Sequence, residues 1–311
     1  MATTINAPRQ RPRLTRQQWH HLRNGLLFIS PWLIGTLIFT IYPIMASFYY
    51  SFTSYDIISP PQWVGFDNYI EAFTGEPQFW RAVSNTFYYA LIALPLGLLL
   101  AVSIALLLNT QIRGIAFFRT VFFLPSIVPD IASAMLWSWM LNPQFGLMNT
   151  ALKALQIPTV GWLSDPAWSK PALILIGLWG FGGSMVIYLA SLQDIPQHLY
   201  EAAEIDGAGA AARTWHVTLP MLTPTIFFNL VLGLIGTFQY FTTAFVVSGG
   251  SGGPAGSTTF YSMLIYFNAF RYFKMGYASA LSWLLFAFVL VVTLVLFRTS
   301  GRWVYYEGEK G

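Results

Sequence analysis

The stretch Glu201-Ala202-Ala203-Glu204-Ile205-Asp206-Gly207 is followed, nine residues after its glycine, by Val217-Thr218-Leu219-Pro220. Residues 197–205 have a helical composition, and Gly207 lets the chain turn in a conformation that is costly for residues with a Cβ. Pro220 can begin the next helix in its first turn, where a missing N–H is harmless. Because very apolar segments flank this stretch, the sequence predicts a helix-turn-helix loop between two membrane spans.

The composition excludes a soluble globule. Of 311 residues, 9% are charged and 55% are hydrophobic, which indicates an integral membrane protein. The absence of cysteine excludes disulfides, thiolate metal sites and cysteine nucleophiles. No cleavable signal is expected, since apolar residues begin only near Gly25 and no small-residue cleavage pattern follows them. The net charge of +4 comes from residues that flank membrane segments, so it indicates orientation in the bilayer rather than binding to nucleic acid.

Six stretches are apolar over about the 20 residues that a helix needs to cross the hydrocarbon core. We place them at 25–51, 83–108, 115–141, 171–192, 220–247 and 277–298. The third is the least regular, because Pro125, Pro129 and Asp130 interrupt it and imply a kinked or broken helix. The predicted organisation is a basic tail at 1–24, expected to be disordered, a permease domain at 25–300 with a cytosolic loop at 193–219, and a short tail at 301–311.

The distribution of Lys and Arg predicts the orientation. With the N-terminus inside, eleven of these residues fall in cytosolic segments and five outside, which favours both termini in the cytosol. The inside set is Arg9, Arg11, Arg13, Arg16, Arg23, Arg113, Arg119, Arg213, Arg298, Arg302 and Lys310, and the outside set is Arg81, Lys153, Lys170, Arg271 and Lys274. The same choice places the helix-turn-helix loop in the cytosol.

The loop resembles the EAA loop of the permeases of ABC importers, whose pattern is Glu-Ala-Ala, three residues, Gly, nine residues, Ile-x-Leu-Pro. This chain departs from the pattern only by Val217 in place of isoleucine. The resemblance implies the type I importer fold and a coupling helix that docks on a separate ATPase subunit. The alternative is an ordinary cytosolic loop of a polytopic protein. The residues that the resemblance assigns to coupling are Glu201, Ala202, Ala203, Asp206, Gly207, Ala208, Leu219 and Pro220.

Four further stretches resemble the carbohydrate branch of these permeases, of the maltose type. They are Ser30-Pro31-Trp32 with Tyr42-Pro43, Phe123-Leu124-Pro125 with Val128-Pro129, the stretch from Asn142 to Asn149, and Gly252-Gly253-Pro254. The resemblance implies a second related permease, two ATPase copies, an extracytoplasmic binding protein and a location in a prokaryotic inner membrane. This chain has no Walker-type phosphate-binding motif, so ATP and Mg are expected on the partner ATPase and no cofactor is expected on this chain.

The resemblance also implies a substrate site near the middle of the membrane. The positions carried over are Ser126, Asp130, Trp179, Gly180, Gly183, Gly233, Gly236, Thr237 and Tyr240. At 3.6 residues per turn, Asn229, Gly233, Gly236, Tyr240 and Thr243 would share one face of a continuous fifth helix. Such a stripe can equally serve close helix packing. Tyr240 and Trp179 are the stronger candidates, because an aromatic ring can stack on a sugar while its polar atom bonds a hydroxyl.

Asp130 is the only acidic residue predicted well within a span. A carboxylate there should line a water-filled path or meet a partner, so it favours contact with substrate over a structural ion pair, while a position at a helix end near the cytosol stays open. A phosphorylated solute such as glycerol phosphate would need basic residues in the cavity, and a polyamine would need several carboxylates. A neutral polyol or oligosaccharide therefore fits best.

The sequence lacks the features of two other classes of membrane protein. A membrane-embedded enzyme would need intramembrane histidines, paired acids or a nucleophile with its base, but all four histidines fall in cytosolic segments. The sequence therefore predicts a transport subunit without catalytic or metal-ligating residues. A secondary transporter would show inverted repeats and intramembrane ion sites, and the sequence shows neither.

Overall fold

A computed structural model describes residues 15–110 and 112–305, and this part of the chain is mostly helical. Four helical stretches are long and apolar enough to cross a membrane: Arg16–Tyr50, Phe79–Leu108, Ala210–Val247 and Met275–Ser300. Two bent helix pairs pass the same test when each pair is taken as one span. The predicted all-α membrane class with about six spans is confirmed.

The first helix starts earlier than predicted. Helix α1 spans Arg16–Thr36 and continues through a π-helical turn at Leu37–Ile41 into α2, Tyr42–Tyr50. The Gln18 N–H donates to Thr15 Oγ1 at 3.3 Å and the Thr15 N–H donates to Gln18 Oε1 at 2.8 Å, a reciprocal cap that starts α1. The prediction of a disordered tail at 1–24 is therefore wrong for residues 16–24, while residues 1–14 lie outside the described part.

The π-helical turn lies just before Pro43. Here the Tyr42 N–H donates to Leu37 O, five residues back. Proline has no N–H, and in a regular α-helix its ring would clash with the carbonyl four residues earlier, so the wider turn carries the helix past it. None of the described residues of Arg16–Tyr50 is buried. The stretch packs mainly at its end, where α2 contacts Met275–Ser300.

A small cap follows α2 in the predicted outer segment. Strands β1, Thr53–Ser54, and β2, Gln62–Trp63, pair antiparallel, and α3 spans Asp67–Thr74. The buried Asn68 of α3 donates from Nδ2 to Ser51 O and Thr53 O, both at 2.9 Å. These two bonds tie the cap to the end of α2.

Helix α4, Phe79–Leu108, is the central helix. It packs against the fourth and fifth apolar segments and against the region before the last helix. Small buried side chains let these helices approach closely. They are Ala82, Ala90, Ala93, Ala101 and Ala105.

The third apolar segment is broken, as its prolines predict. Helix α5, Ile115–Phe123, leads through a 3-10 turn at Leu124–Ile127 into α6, Asp130–Met140, with a bend of 98°. Val128 and Pro129 between them are extended. Backbone of this kind is tolerated at membrane depth where it is enclosed by protein or lines a polar cavity.

Helix α7, Leu147–Ala154, follows α6 and carries the buried Asn149. The Asn149 Nδ2 donates to Pro143 O at 3.2 Å and to Val160 O at 2.9 Å. Its Oδ1 accepts from the Val160 N–H at 3.1 Å and from Trp162 Nε1 at 3.0 Å. Asn149 thus fastens the connection between the third and fourth segments.

The fourth segment is two helices rather than one. Helix α8, Pro166–Trp179, and α9, Gly182–Gln193, meet at a bend of 45° around Gly180 and Phe181. A Cβ on Gly182 would lie 2.5 Å from Phe122 O, so the start of α9 fits directly against the backbone of α5. This close approach explains a break that hydrophobicity alone does not show.

The predicted cytosolic loop contains α10, Gln197–Ile205, and α11, Ala210–Arg213. A π-helical turn at Thr214–Thr218 joins α11 to α12, Leu219–Phe238. Pro220 therefore does not begin a new helix, as predicted, because the helix passes it through a second wide turn, with the Leu219 N–H donating to Thr214 O.

The fifth segment breaks at Gln239–Phe241, before α13, Thr242–Val247. The expectation of a continuous helix with one stripe from Asn229 to Thr243 is therefore wrong. Tyr240 packs its ring against those of Tyr89 and Phe260, with centroid distances of 4.1 and 5.2 Å. This tertiary packing outweighs the local preference for helix.

The remaining elements close the bundle. Helix α14, Tyr261–Tyr266, and a π-helical turn at Phe267–Arg271 pack beside α15, Met275–Ser300. One buried cluster, around Leu141, Leu173 and Phe260, lies at the predicted outer half. A second, around Met185, Tyr188 and Leu222, lies towards the predicted cytosolic loop. The helix breaks lie between these two clusters.

Candidate functional site

A polar cavity of about 380 Å³ lies where the third, fourth and fifth segments break, and we call it the central cavity. Its walls come from α4, from the α5–α6 connection and from the ends of α8 and α12. The lining residues are Tyr89, Pro125, Ser126, Val128, Asp130, Ser133, Ile176, Gly177, Trp179, Gly180, Gly236, Gln239, Tyr240, Phe241, Thr242 and Thr243.

The central cavity brings together two thirds of the predicted substrate residues. Those that line it are Ser126, Asp130, Trp179, Gly180, Gly236 and Tyr240. Gly233 and Thr237 instead line an adjoining cavity of about 200 Å³, which also contacts Tyr89, Gly177 and Gly180. Gly183 lines neither cavity. Their role in substrate binding stays a prediction.

Two tyrosine rings line the central cavity, and one of them, Tyr89, also lines the adjoining cavity. The rings of Tyr89 and Tyr240 are stacked at a centroid distance of 4.1 Å and an interplanar angle of 19°. The hydroxyl of Tyr89 lies against Gly177, where an added Cβ would lie 2.5 Å from it. One face of the Tyr240 ring is therefore already covered by protein.

The hydroxyl of Tyr240 is buried and makes no hydrogen bond of standard geometry to a described residue, and the hydroxyls of Tyr89 and Thr243 are its nearest polar neighbours. An unpaired buried hydroxyl costs about 1–3 kcal/mol, so a partner arriving in the cavity would be bound favourably. Trp179 is half-buried and meets the ring of Trp137 edge-on at 6.0 Å. The aromatic wall is therefore rigid on the side of α8.

Asp130 lies at the first position of α6 and is exposed to the cavity. A carboxylate at a helix N-terminus is favoured by the helix dipole. Within the described ranges the salt bridges are Arg213–Glu204 and Lys274–Glu71, so Asp130 has no ion-pair partner there. No metal-binding group of three or more His, Cys, Asp or Glu occurs in this part either.

Sequence reasoning missed several lining residues. Tyr89 lies within a segment that was interpreted only as apolar, although a buried tyrosine at the middle of a span needs a partner for its hydroxyl. Gln239 and Thr242 are polar residues in the fifth segment, and polar residues at membrane depth commonly mark a substrate path. Ser133, one turn beyond Asp130, carries the same signal.

The second candidate site is the loop formed by α10 and α11. Helix α10 ends in a Schellman turn: the Ala208 N–H donates to Ala203 O at 2.9 Å and the Gly207 N–H donates to Glu204 O at 3.0 Å. Gly207 has φ +80°, and an added Cβ would meet nothing within 4 Å. The glycine is thus required by backbone conformation rather than by space inside this chain.

The two arms of the loop are joined by side chains. Arg213 Nη1 bonds Glu204 Oε1 at 2.8 Å, and the hydroxyls of Tyr200 and Thr218 lie 3.0 Å apart. Among the predicted coupling residues, Glu201, Ala202, Asp206 and Gly207 are exposed, while Ala203, Ala208, Leu219 and Pro220 are half-buried. Ile205 is 86% exposed. The arrangement presents a braced polar helix with one apolar side chain at its end.

Comparison with known proteins gives a consistent family. The family described as "Binding-protein-dependent transport system inner membrane component" matches residues 93–305. "Probable ABC transporter permease protein YesP" of Bacillus subtilis (strain 168) is 44% identical over 288 residues, covering 92% of this chain and 93% of its own. The trehalose/maltose transport system permease protein MalF of Thermococcus litoralis is 34% identical, covering 92% and 96%. A chain of a bacterial alginate ABC transporter, solved with a periplasmic protein bound to alginate pentasaccharide, has a TM-score of 0.81 and 26% identity, covering 93% and 98%.

Proposed function

Because the chain belongs to the family of binding-protein-dependent transport system inner membrane components, we propose that it is the permease subunit of an ATP-driven importer of neutral sugars. It is a multi-pass membrane protein that forms part of a transport path and not the enzyme of the system. Relatives that transport trehalose and maltose, and the similar chain of the alginate importer, support a sugar as the substrate class.

The composition of the central cavity is the observation that carries the sugar assignment. Hydroxyl, amide and carboxylate groups line the cavity together with aromatic rings, and no lysine or arginine of the described ranges does so. Sugar hydroxyls donate to a carboxylate and accept from hydroxyls and amides, while the apolar face of the ring stacks on aromatic side chains. A phosphorylated solute would lack a cation here, and a polyamine would find only Asp130. An acidic polysaccharide, such as the one that the alginate importer carries, would be repelled by the carboxylate of Asp130.

The geometry assigns roles to particular groups in this proposal. The unpaired hydroxyl of Tyr240 bonds a sugar hydroxyl, and Asp130 accepts from another. Trp179 offers a ring surface on the opposite wall. The helix breaks supply further backbone groups at the same depth, so the sugar exchanges its bonds to water for bonds to protein.

Energy coupling is assigned to the α10–α11 loop. Glu201 and Asp206 are exposed, and Ile205 offers an apolar contact at the end of α10. Because the ion pair of Glu204 and Arg213 braces the two arms, a push on α10 is transmitted to α11 and through the continuous helix to α12. The proposed partner is an ABC ATPase that holds ATP and Mg.

The complete importer contains this chain, a second related permease, two ATPase subunits and an extracytoplasmic binding protein. It lies in the cytoplasmic membrane of a prokaryote with both termini in the cytosol. The excess of Lys and Arg on that side supports this orientation. The exposed surface of Arg16–Tyr50 supports a protein or lipid neighbour along the first helix.

The test is sugar uptake by the reconstituted complex in proteoliposomes. ATP inside the vesicles and the binding protein outside should both be required, and neutral oligosaccharides should be carried in preference to acidic ones. Glu201→Lys should lower ATP hydrolysis stimulated by the binding protein, since it reverses a charge at the docking surface. Glu307→Lys, which reverses a charge in the predicted cytosolic tail at 301–311, is the control. Uptake that proceeds without ATP would disprove the proposal.

A further inference from the structure

A cavity of about 810 Å³ lies beside the coupling loop, between the end of α4, the start of α5 and the connection from α9 to α10. We call it the basic cavity. It shares no residue with the central cavity. Two arginines, Arg113 and Arg119, line it together with polar groups that include Asn109, Gln193, Gln197 and the Tyr200 ring. None of the described carboxylates lines it.

Arg119 is held in a fixed position at the wall of the basic cavity. Its Nε and Nη2 both donate to Leu108 O, at 3.3 and 2.9 Å, which closes the end of α4. Arg119 is half-buried, and its Nη1 makes no hydrogen bond to any described residue. A guanidinium that uses two of its nitrogens in this way still has N–H donors that can bind a phosphate oxygen.

The two arginines have no counter-ion in the described chain. Neither forms a salt bridge there. Asp194 lies between two lining stretches in sequence, but it does not line the cavity. Two guanidinium groups that share a polar cavity without an acid repel each other, and an anion between them removes that repulsion.

The surroundings of the basic cavity indicate where the anion comes from. Leu107, Phe117 and Phe118 lie next to it in sequence on α4 and α5, and they are 66%, 68% and 47% exposed. Exposed apolar side chains on the helices of a membrane protein face hydrocarbon. A molecule with a phosphate in the cavity and acyl chains along these side chains satisfies both surfaces.

We propose that the basic cavity binds the phosphate of an anionic phospholipid from the leaflet that faces the coupling loop. The choice of leaflet rests on the proposed function and orientation. Because Gln197 and Tyr200 belong to α10, the bound headgroup contacts the coupling helix directly. Anionic lipid therefore favours one position of α10 and raises the efficiency of coupling.

The test compares lipid binding by the assembled complex and its variants. In nanodiscs of phosphatidylglycerol and phosphatidylcholine, native mass spectrometry should find phosphatidylglycerol retained by the wild type. Arg113→Gln should lower its affinity roughly five-fold, the effect expected for one surface cation. Arg302→Gln removes an exposed cation outside the cavity, on the same predicted side, and should retain lipid like the wild type. Equal retention by both variants would overturn the proposal.

Two further experiments distinguish a lipid from a soluble anion and a lipid site from a contact with the ATPase. Millimolar inorganic phosphate should not displace phosphatidylglycerol; displacement would identify a soluble-anion site instead. If Arg113→Gln weakened ATPase binding equally in nanodiscs of pure phosphatidylcholine, the cavity would be an ATPase contact and the lipid proposal would be wrong. If the proposed function were wrong, the wild-type chain would bind no ATPase. Lipid retention is measured separately, so the two proposals can fail independently.

Discussion

The contact between Gly177 and Tyr89 controls the wall between the central and adjoining cavities. Gly177→Ala would place a Cβ 2.5 Å from the Tyr89 hydroxyl, so the Tyr89 ring must shift against Tyr240. Overpacking of this kind costs about 1–3 kcal/mol. We expect lower sugar uptake by the reconstituted complex. Gly35→Ala in α1, outside both cavities and with nothing within 4 Å of the added Cβ, should transport normally, and equal uptake by the two variants would contradict this role of Tyr89.

The Tyr240 hydroxyl gives a second residue-scale prediction. Tyr240→Phe keeps the stacked ring and removes only the unpaired hydroxyl, so uptake should fall by the loss of one hydrogen bond, about 0.5–1.5 kcal/mol, or roughly 2- to 13-fold in affinity. The matched control is Tyr188→Phe, because Tyr188 also buries an unpaired hydroxyl but lines neither the central nor the adjoining cavity. Unchanged uptake in Tyr240→Phe would exclude the hydroxyl from sugar binding.

Alanine variants test the larger aromatic contribution. Tyr240→Ala and Trp179→Ala should weaken sugar binding by about 1–3 kcal/mol, because stacking and a hydrogen bond are both lost. Uptake should fall accordingly, while the complex still assembles. ATP hydrolysis should survive better than uptake, because the binding protein still acts through the outer segments. Uptake and hydrolysis that fall in strict proportion would indicate a packing defect.

Motif positions predicted the central cavity better than periodicity did. Ser126, Asp130 and Trp179 lie beside prolines or at a helix end, where local sequence already indicates a break. Helical periodicity placed Asn229 and Gly233 on one face with Tyr240, but the helix breaks at Gln239–Phe241 and these two residues line the adjoining cavity instead. That break depends on the Tyr89 ring, about 150 residues away in sequence, and no local pattern records it.

At the scale of elements, the turn at Gly207 is the part that the sequence predicted most completely. Helix composition at 197–205 and a glycine two positions later define a helix end, and the Schellman bonds confirm it. The continuous path from α11 into α12 was not predicted, because proline usually ends a helix and here a wide π-helical turn carries the helix past Pro220. A similar wide turn carries the first helix past Pro43. Asn149 shows the opposite case, since a motif associated with sugar permeases here has a clear structural role.

Two glycines of the loop provide a matched pair. An added Cβ would meet nothing within 4 Å at Gly207 or at Gly209, but Gly207 has φ +80° while Gly209 has φ −67°. Gly207→Ala should therefore strain the turn by about 1 kcal/mol, and Gly209→Ala should not. Faster amide hydrogen exchange at Ala208 in the first variant alone would show the strain.

Docking is tested by a bulkier change at the same position. Gly207→Trp should leave the chain folded in the membrane and weaken ATPase association, because it both strains the turn and obstructs an exposed surface. Normal hydrolysis stimulated by the binding protein in this variant would contradict the coupling role of the loop.

At the scale of the whole molecule, the orientation can be tested with single cysteines, since the native chain has none. Ser59, Ser251 and Ala210 are all exposed, so their reactivity reports the side of the membrane rather than burial. Ser59→Cys and Ser251→Cys should react with an impermeant thiol reagent in intact cells, and Ala210→Cys should not. Labelling of Ala210→Cys from outside would show that the orientation is opposite to the predicted one.

The stretch Arg16–Tyr50 crosses the bilayer without burying a single described residue against the rest of its own chain. Its fixed contacts lie at one end, where Trp283 Nε1 donates to Ser47 Oγ and the Phe48 ring meets Trp283. If this chain were made in excess of the proposed second permease, the helix would have no subunit to pack against, and the surplus chain would lack the stabilisation that binding provides. Cellular proteases would then remove the surplus, so the steady-state amount of this chain would follow the synthesis of its partner rather than its own.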